Sequence, residues 1–192
     1  MTKNEIRRLF LEKRRSLSKE DLTRLQSALF KNIQDEFDLS EKVVHVFLPI
    51  EDKNEIDTFE LIKAIQERDK HVIWVIPKCN FEDRELKHYC YDEDTVLAKS
   101  KYGIPEPIDG KTAESKDIDI VLVPLLAIDI FGNRIGYGKG FYDRFLAKCT
   151  PTCQFIGLSL FEPLQTKIET NDFDIPLHFI ASPQQVMKRS HE

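Results

Sequence analysis

The segment DIDIVLVPLLAI, residues 117–128, is a nearly uninterrupted apolar run. A strand with one face in water alternates apolar and polar side chains, whereas a strand without alternation must be covered on both faces. Such coverage marks a largely parallel sheet held between helices. KVVHVFLPI (42–50), HVIWVIPK (71–78), QFIGLSL (154–160) and HFIAS (178–182) read as further strands, the second closed by Pro77. ELKHYCYD (85–92) alternates like a strand with one wetter face.

Helices fall between these runs. Two open the chain, and the second starts at Ser18, where SKED reads as a Ser-x-x-Asp variant of the capping box. Its Leu22, Leu25, Leu29 and Ile33 share one face. DTFELIKAIQERDK (57–70) is a third helix, capped by Asp57 or Thr58, and GFYDRFLAKC (140–149) a fourth. KYGIPEPIDGK (101–111) reads as an irregular connection. With 192 residues and 41% hydrophobic content, one core suffices. The expected architecture is a single domain over 1–192: three-layer α/β/α with a mostly parallel, Rossmann-like central sheet.

A net charge of -5 argues against general nucleic-acid binding, since no excess positive charge is present to neutralise phosphates. KNEIRRLFLEKRR is locally basic, but Ile6, Leu9 and Phe10 recur at helical spacing, so it reads as a helix and not as a disordered arm. No stretch resembles an export signal or a membrane span. The four cysteines, Cys79, Cys90, Cys149 and Cys153, form no C-x-x-C pair. Reduced thiols in the cytoplasm are expected, with a Cys149–Cys153 disulfide as the lesser alternative.

After the central run comes FGNRIGYGKGFYDRFL (131–146). Its glycines fit neither common phosphate motif. From Gly132 to Gly138 is one residue too long for a P-loop, and Gly140 stands where Ser or Thr should be. The dinucleotide fingerprint needs G-x-G-x-x-G, whereas the chain has Gly136-Tyr137-Gly138-Lys139-Gly140. The chemistry still favours an anion. Residues without Cβ let successive N–H groups line a concave nest, a following helix adds its N-terminal donors, and Arg134 and Lys139 add formal charge. A plain turn needs fewer glycines.

The stretch VPLLAIDIFGNRIGYGKGFYDRFL resembles the signature of the 5-formyltetrahydrofolate cyclo-ligase family, also called 5,10-methenyltetrahydrofolate synthetases. The likeness extends in order along nearly the whole chain, through KNEIR, FLPIEDKNEIDT, GIPEP, GLSL and FDIPLHFIASP. It implies an ATP- and Mg²⁺-dependent conversion of 5-formyltetrahydrofolate, with or without a polyglutamate tail, to 5,10-methenyltetrahydrofolate with release of ADP and phosphate. The family pattern places Lys3 and Arg7 on ATP, together with Arg134, Ile135, Gly136, Tyr137, Gly138, Lys139, Gly140, Phe141 and Tyr142. Tyr137 stands where the family varies and is assigned through its backbone alone. Lys139 is the candidate catalytic cation. Magnesium falls to Asp143 and, by aligning PLHFI with the usual PLD-x-I, to Asp174, with Asp172 the alternative; Phe173 and His178 depart from the pattern. Leu48 and Glu55 fall to the folate, with Glu51 the fallback because this loop is longer than in many relatives, and Ile104, Pro105 and Glu106 help shape the pocket. Phe47, Trp74 and Phe141 read as core residues. A cytoplasmic monomer is expected.

Overall fold

The computed structural model describes residues 1–69 and 71–190. Its strands are β1 (Val43–Val46), β2 (Ile73–Asn80), β3 (Glu85–Tyr91), β4 (Leu97–Lys99), β5 (Pro105–Pro107), β6 (Thr112–Ala113), β7 (Ile120–Pro124), β8 (Ala127–Ile128), β9 (Arg134–Ile135), β10 (Gln154–Leu158), β11 (Phe179–Ala181) and β12 (Val186–Lys188). Eight of them form the main sheet, in the order β12-β11-β10-β7-β1-β2-β3-β6. The inner five, from β11 to β2, run parallel. Strands β12, β3 and β6 add antiparallel edges. The β7 strand, from the apolar run, sits at the centre as its composition requires.

The helices are α1 (Lys3–Arg15), α2 (Lys19–Glu36), α3 (Thr58–Arg68) and α4 (Phe141–Leu146). Leu29 and Ile33 of α2 and Leu61 and Ile65 of α3 pack on one sheet face, against Val44, Trp74, Leu122 and Ile156. Phe145 and Leu146 of α4 pack on the other, against Val75, Val121, Val123 and Phe155. Three layers result. Helix α1 lies apart, with Ile6 and Phe10 against Leu126, Ala127 and Ile135 of the β8–β9 ribbon. Among the described residues, no helix is long and apolar enough to cross a membrane.

Local differences from the sequence reading have physical reasons. The β2 strand does not close at Pro77 but continues to Asn80, because β1 pairs only with residues 73–75 and the proline faces only β3, opposite His88. The apolar run is not one strand: β7 ends at Pro124, and residues 127–128 turn away into the β8–β9 ribbon. The GIPEP connection is partly regular, since β5 pairs with β4 as a two-stranded edge ribbon that tolerates Pro105 and Pro107. Ser18 does cap α2 and Asp57 caps α3, but the Asp21 carboxylate accepts from the Ser18 hydroxyl and not from its backbone. The full capping box belongs to Thr2 and Glu5 at the start of α1. Cys149 and Cys153 are free thiols, so that disulfide is absent.

The core also holds two histidines. His45 of β1 is fully buried, and neither ring nitrogen has a hydrogen-bond partner. Its ring lies 5.1 Å from that of His88 and 4.6 Å from Phe145. Burial holds His45 well below the usual histidine range, with the neighbouring His88 adding to it. Burial, then the Lys148 charge, takes His88 down to about 4. The folded protein therefore keeps both rings neutral where the unfolded chain protonates them, near pH 6.5. Stability is expected to be full above pH 6.5 and to fall from there toward pH 4, with His88 contributing about 1.4 kcal/mol per pH unit. Urea midpoints between pH 7 and 4.5 check this; a shallower profile for His45→Phe/His88→Phe than for the parent is expected, the remainder coming from His178, which burial also holds below its usual range.

Candidate active site

A cleft of about 890 Å³ opens at the carboxyl ends of β1, β2 and β7, where open α/β sheets place their ligands. Its walls are unlike each other. One is apolar and aromatic, made by Phe47, Leu48, Ile50, Pro77, Phe81, Tyr102 and Ile104. The other carries Lys3, Arg7, Arg134, Gly136, Tyr137, Gly138, Lys139 and Gly140, with the acids Asp143, Asp172 and Asp174.

The glycine loop owes its shape to Gly138 and Gly140, whose φ angles of 79° and 72° favour residues without a side chain. A Cβ on Gly138 would come 3.2 Å from an Arg7 guanidinium nitrogen, so the helix α1 cation lies directly against the loop. Arg7 also donates through Nε to the Gly136 carbonyl at 2.9 Å. The fourth helix is shorter than the sequence implies: Phe141–Leu146, with Gly140 as an N-cap lacking any side-chain bond. Six residues align few peptide dipoles, so an anion here must rest on the nest N–H groups and the cations more than on the helix.

The acids are pre-paired. Arg134, nearly buried, donates to Asp143 Oδ1 at 2.6 Å and to the Ile175 carbonyl at 2.5 Å. The Ile175 N–H returns to Asp143 Oδ1 at 3.2 Å, which brings the residue after Asp174 onto Asp143. Asp174 Oδ2 accepts from Lys3 at 2.6 Å and from the Asn171 N–H at 2.9 Å. Burial draws the Arg134 pKa below its usual value, while the Asp143 charge opposes this. Asp172 is exposed on the cleft rim, beside Phe173, which is 82% exposed. Among the described residues there is no cluster of three or more metal-ligating side chains. Two carboxylates suit a cation that keeps waters and takes its other oxygens from a phosphate, which is magnesium's habit.

At the apolar end Glu55 is buried at 8% exposure yet lines the cleft. Its Oε2 accepts from the Ile50 N–H at 2.8 Å and its Oε1 from the Tyr137 hydroxyl at 2.5 Å. Glu51 instead pairs with Lys99 at 2.8 Å outside the cleft. Leu48 and Ile104 line the cleft, whereas Pro105 and Glu106 do not. Glu106 supports it from behind, accepting from the Cys79 N–H at 2.9 Å. Burial, then that carboxylate, pushes the Cys79 thiol up to about 12. Of the three aromatics read as core, only Trp74 is purely so; Phe47 and Phe141 face the cleft, and Phe141 meets Phe81 edge-on at 5.1 Å. Tyr142 places a hydroxyl without a partner in the same region, its pKa raised by burial.

The sequence reading missed Arg14, Phe81 and Tyr102. Arg14 was hidden in a basic run that looks solvated, yet it is 5% exposed and touches Tyr137. Tyr102, just before the GIPEP connection, could have been flagged as an aromatic in a Gly/Pro segment; its ring lies 4.0 Å from that of Phe81.

Comparison with known proteins bears on this cleft. The model of the 5-formyltetrahydrofolate cyclo-ligase family matches residues 1–181. The chain belongs to that family. The 5-formyltetrahydrofolate cyclo-ligase of Escherichia coli (strain K12) is 31% identical over 147 residues, covering 74% of this chain and 79% of that protein. The cyclo-ligase of Mus musculus is 31% identical over 115 residues, so the match spans about half of each, 56% of this chain and 55% of the mouse protein. The solution structure of Aquifex aeolicus 5,10-methenyltetrahydrofolate synthetase superposes with a TM-score of 0.75 at 29% identity, covering 100% of this chain and 95% of that one. The cyclo-ligase fold is thus shared from end to end.

Proposed function

We propose that this cyclo-ligase family member converts 5-formyltetrahydrofolate to 5,10-methenyltetrahydrofolate at the expense of ATP, acting as one domain in the cytoplasm. The observation that carries the reading is that one cleft joins a cation-rich glycine loop to an apolar wall with a buried carboxylate. A triphosphate suits the first end and a flat heterocycle with N–H donors the second.

The chemistry needs both ends to meet. The N5-formyl oxygen is a poor leaving group and N10 a weak nucleophile. Transfer of the ATP γ-phosphoryl to that oxygen releases ADP and activates the carbon; N10 adds to it and loses its proton, and the formyl oxygen departs as inorganic phosphate. The chain's work is positioning and charge neutralisation. Lys3, Arg7 and the nest N–H groups would hold the phosphates, and Lys139 would meet charge on the transferring group. Glu55 would accept from the pterin N–H donors while Phe81 and Tyr102 cover the ring and exclude water. Asp143 and Asp174 would hold magnesium, whose charge when bound neutralises phosphate oxygens.

Mixing 5-formyltetrahydrofolate, ATP and Mg²⁺ with the protein should give the methenyl chromophore, and folded protein giving none sinks the reading. Magnesium titrations refine it. Asp143→Asn and Asp174→Asn should each raise the Mg²⁺ needed for half-maximal rate about tenfold or more, as loss of one anionic ligand from a two-carboxylate site demands. Asp172→Asn, at an exposed position, should be nearly silent; greater sensitivity at Asp172 than at Asp174 overturns the ligand assignment.

A further inference from the structure

Tyr137 joins the two ends of the cleft. Its backbone lies between Gly136 and Gly138, and its side chain crosses to the opposite end, where the hydroxyl donates to Glu55 Oε1. The Tyr137 hydroxyl oxygen in turn accepts from Arg14. Arg14 sits 3.8 Å from Glu55 Oε1, with the phenol interposed, and its buried Nε–H has no partner. Arg14 and Arg7 project from one face of α1, seven residues apart, so one helix clamps the loop twice: at the Gly136 carbonyl through Arg7 and at the Tyr137 hydroxyl through Arg14. Lys53 stands 4.2 Å over the Tyr137 ring, and Asn54 donates to the Arg14 carbonyl at 3.2 Å.

We propose that Tyr137 is a positioning residue that couples nucleotide occupancy of the glycine loop to the orientation of Glu55, so that each ligand tightens the binding of the other. The inference rests on the proposed function for the identity of the two ligands. The physical argument is short. Phosphate bound by the Gly136–Gly140 N–H groups fixes the backbone that carries Tyr137, and the fixed phenol leaves Glu55 one defined orientation. With Ile50 and Tyr137 each occupying one oxygen, the remaining lone pairs of Glu55 point to a single pattern of N–H donors. An unfixed loop lets Glu55 fall toward Arg14, only 3.8 Å away, and the orientation is lost. Ordering done for one ligand need not be repeated for the second.

The test is calorimetric and needs no turnover. Binding of 5-formyltetrahydrofolate is measured alone and with saturating Mg²⁺ and a β,γ-imido analogue of ATP, then in the reverse order. The parent protein should show roughly tenfold tightening in both orders, as linkage requires. Tyr137→Phe, which keeps the ring and the loop backbone, should reduce this factor to below about twofold, whatever it does to either affinity. Arg14→Met should do the same, and Arg14→Lys should retain part of the coupling. A merely structural Tyr137 would lower the melting temperature and leave the ratio unchanged. An unchanged ratio in Tyr137→Phe, or none in the parent, overturns the proposal. Failure of the parent to bind either ligand would overturn the proposed function as well.

Discussion

Lys139→Ala is expected to lower kcat on the order of 10²-fold or more, the scale seen when one preorganised charge stabiliser is removed from an active site. Lys139 is exposed at the tip of the glycine loop, lines the cleft, and makes no hydrogen bond or ion pair among the described residues. Its charge is therefore uncommitted, unlike that of Lys3, Arg7 and Arg134. In the proposed reaction, as the γ-phosphoryl leaves ADP, negative charge would shift toward the bridging and equatorial oxygens. A free ammonium on that loop would meet the charge more strongly in the transition state than in the ground state, and such interactions raise turnover more than affinity. Steady-state rates followed at the methenyl chromophore decide the matter. A rise in KM for ATP at unchanged kcat would make Lys139 an ordinary binding residue. Folate binding should survive in either case.

The second large effect concerns stability. Gly132 has a φ of 84°, and a Cβ there would lie 2.4 Å from the Leu177 carbonyl oxygen and 3.1 Å from its nitrogen. No rotamer relieves a clash with backbone. The two residues are also bonded, the Leu177 N–H donating to the Gly132 carbonyl at 2.9 Å. Gly132→Ala must therefore push the β8–β9 ribbon away from the segment that follows Asp174. Left-handed strain and overpacking together should cost on the order of 3 kcal/mol or more. Gly136→Ala is the internal control: its Cβ would meet nothing within 4 Å, and its φ is not positive. Urea unfolding of the two variants should separate them clearly. Near-equal midpoints would mean that the Gly132 contact relaxes freely.

How far the sequence alone reached follows from which forces act locally. Covered strands and amphipathic helices announce themselves by periodicity, so β1, β2, β3, β7, β10 and β11 and the first three helices were legible at the level of type and order. The β4–β5 ribbon was not, because proline content argues against strands unless the edge position is known. The β12 strand, three residues long, has too few positions to show any period. At the site, the glycine loop was readable because backbone freedom and charge are composition-level properties, whereas Asp143 and Asp174 were named only through the family resemblance. The Arg14–Tyr137–Glu55 cluster was not, since residues 41 and 82 positions apart are joined by side chains whose directions only the packed fold determines. The same holds for Arg134, whose pairing with Asp143 only the packed fold determines.

The two acid–cation pairs have a consequence for how the cleft can fill. Asp174 already has Lys3 as its counter-ion and Asp143 has Arg134. Those two carboxylates are thus already neutralised, and do not repel an arriving triphosphate as bare acids would. Were a divalent cation to take over Asp174, as proposed, Lys3 would be released at the same moment that a phosphate needs a counter-ion. For Lys3 the event would then be an exchange of partners, a phosphate in place of a carboxylate. Exchange of this kind releases few ions to solvent, so the Lys3–Asp174 pair should add little to the ionic-strength dependence of nucleotide affinity, which would rest on Arg7 and Lys139, neither of which has an acidic partner among the described residues.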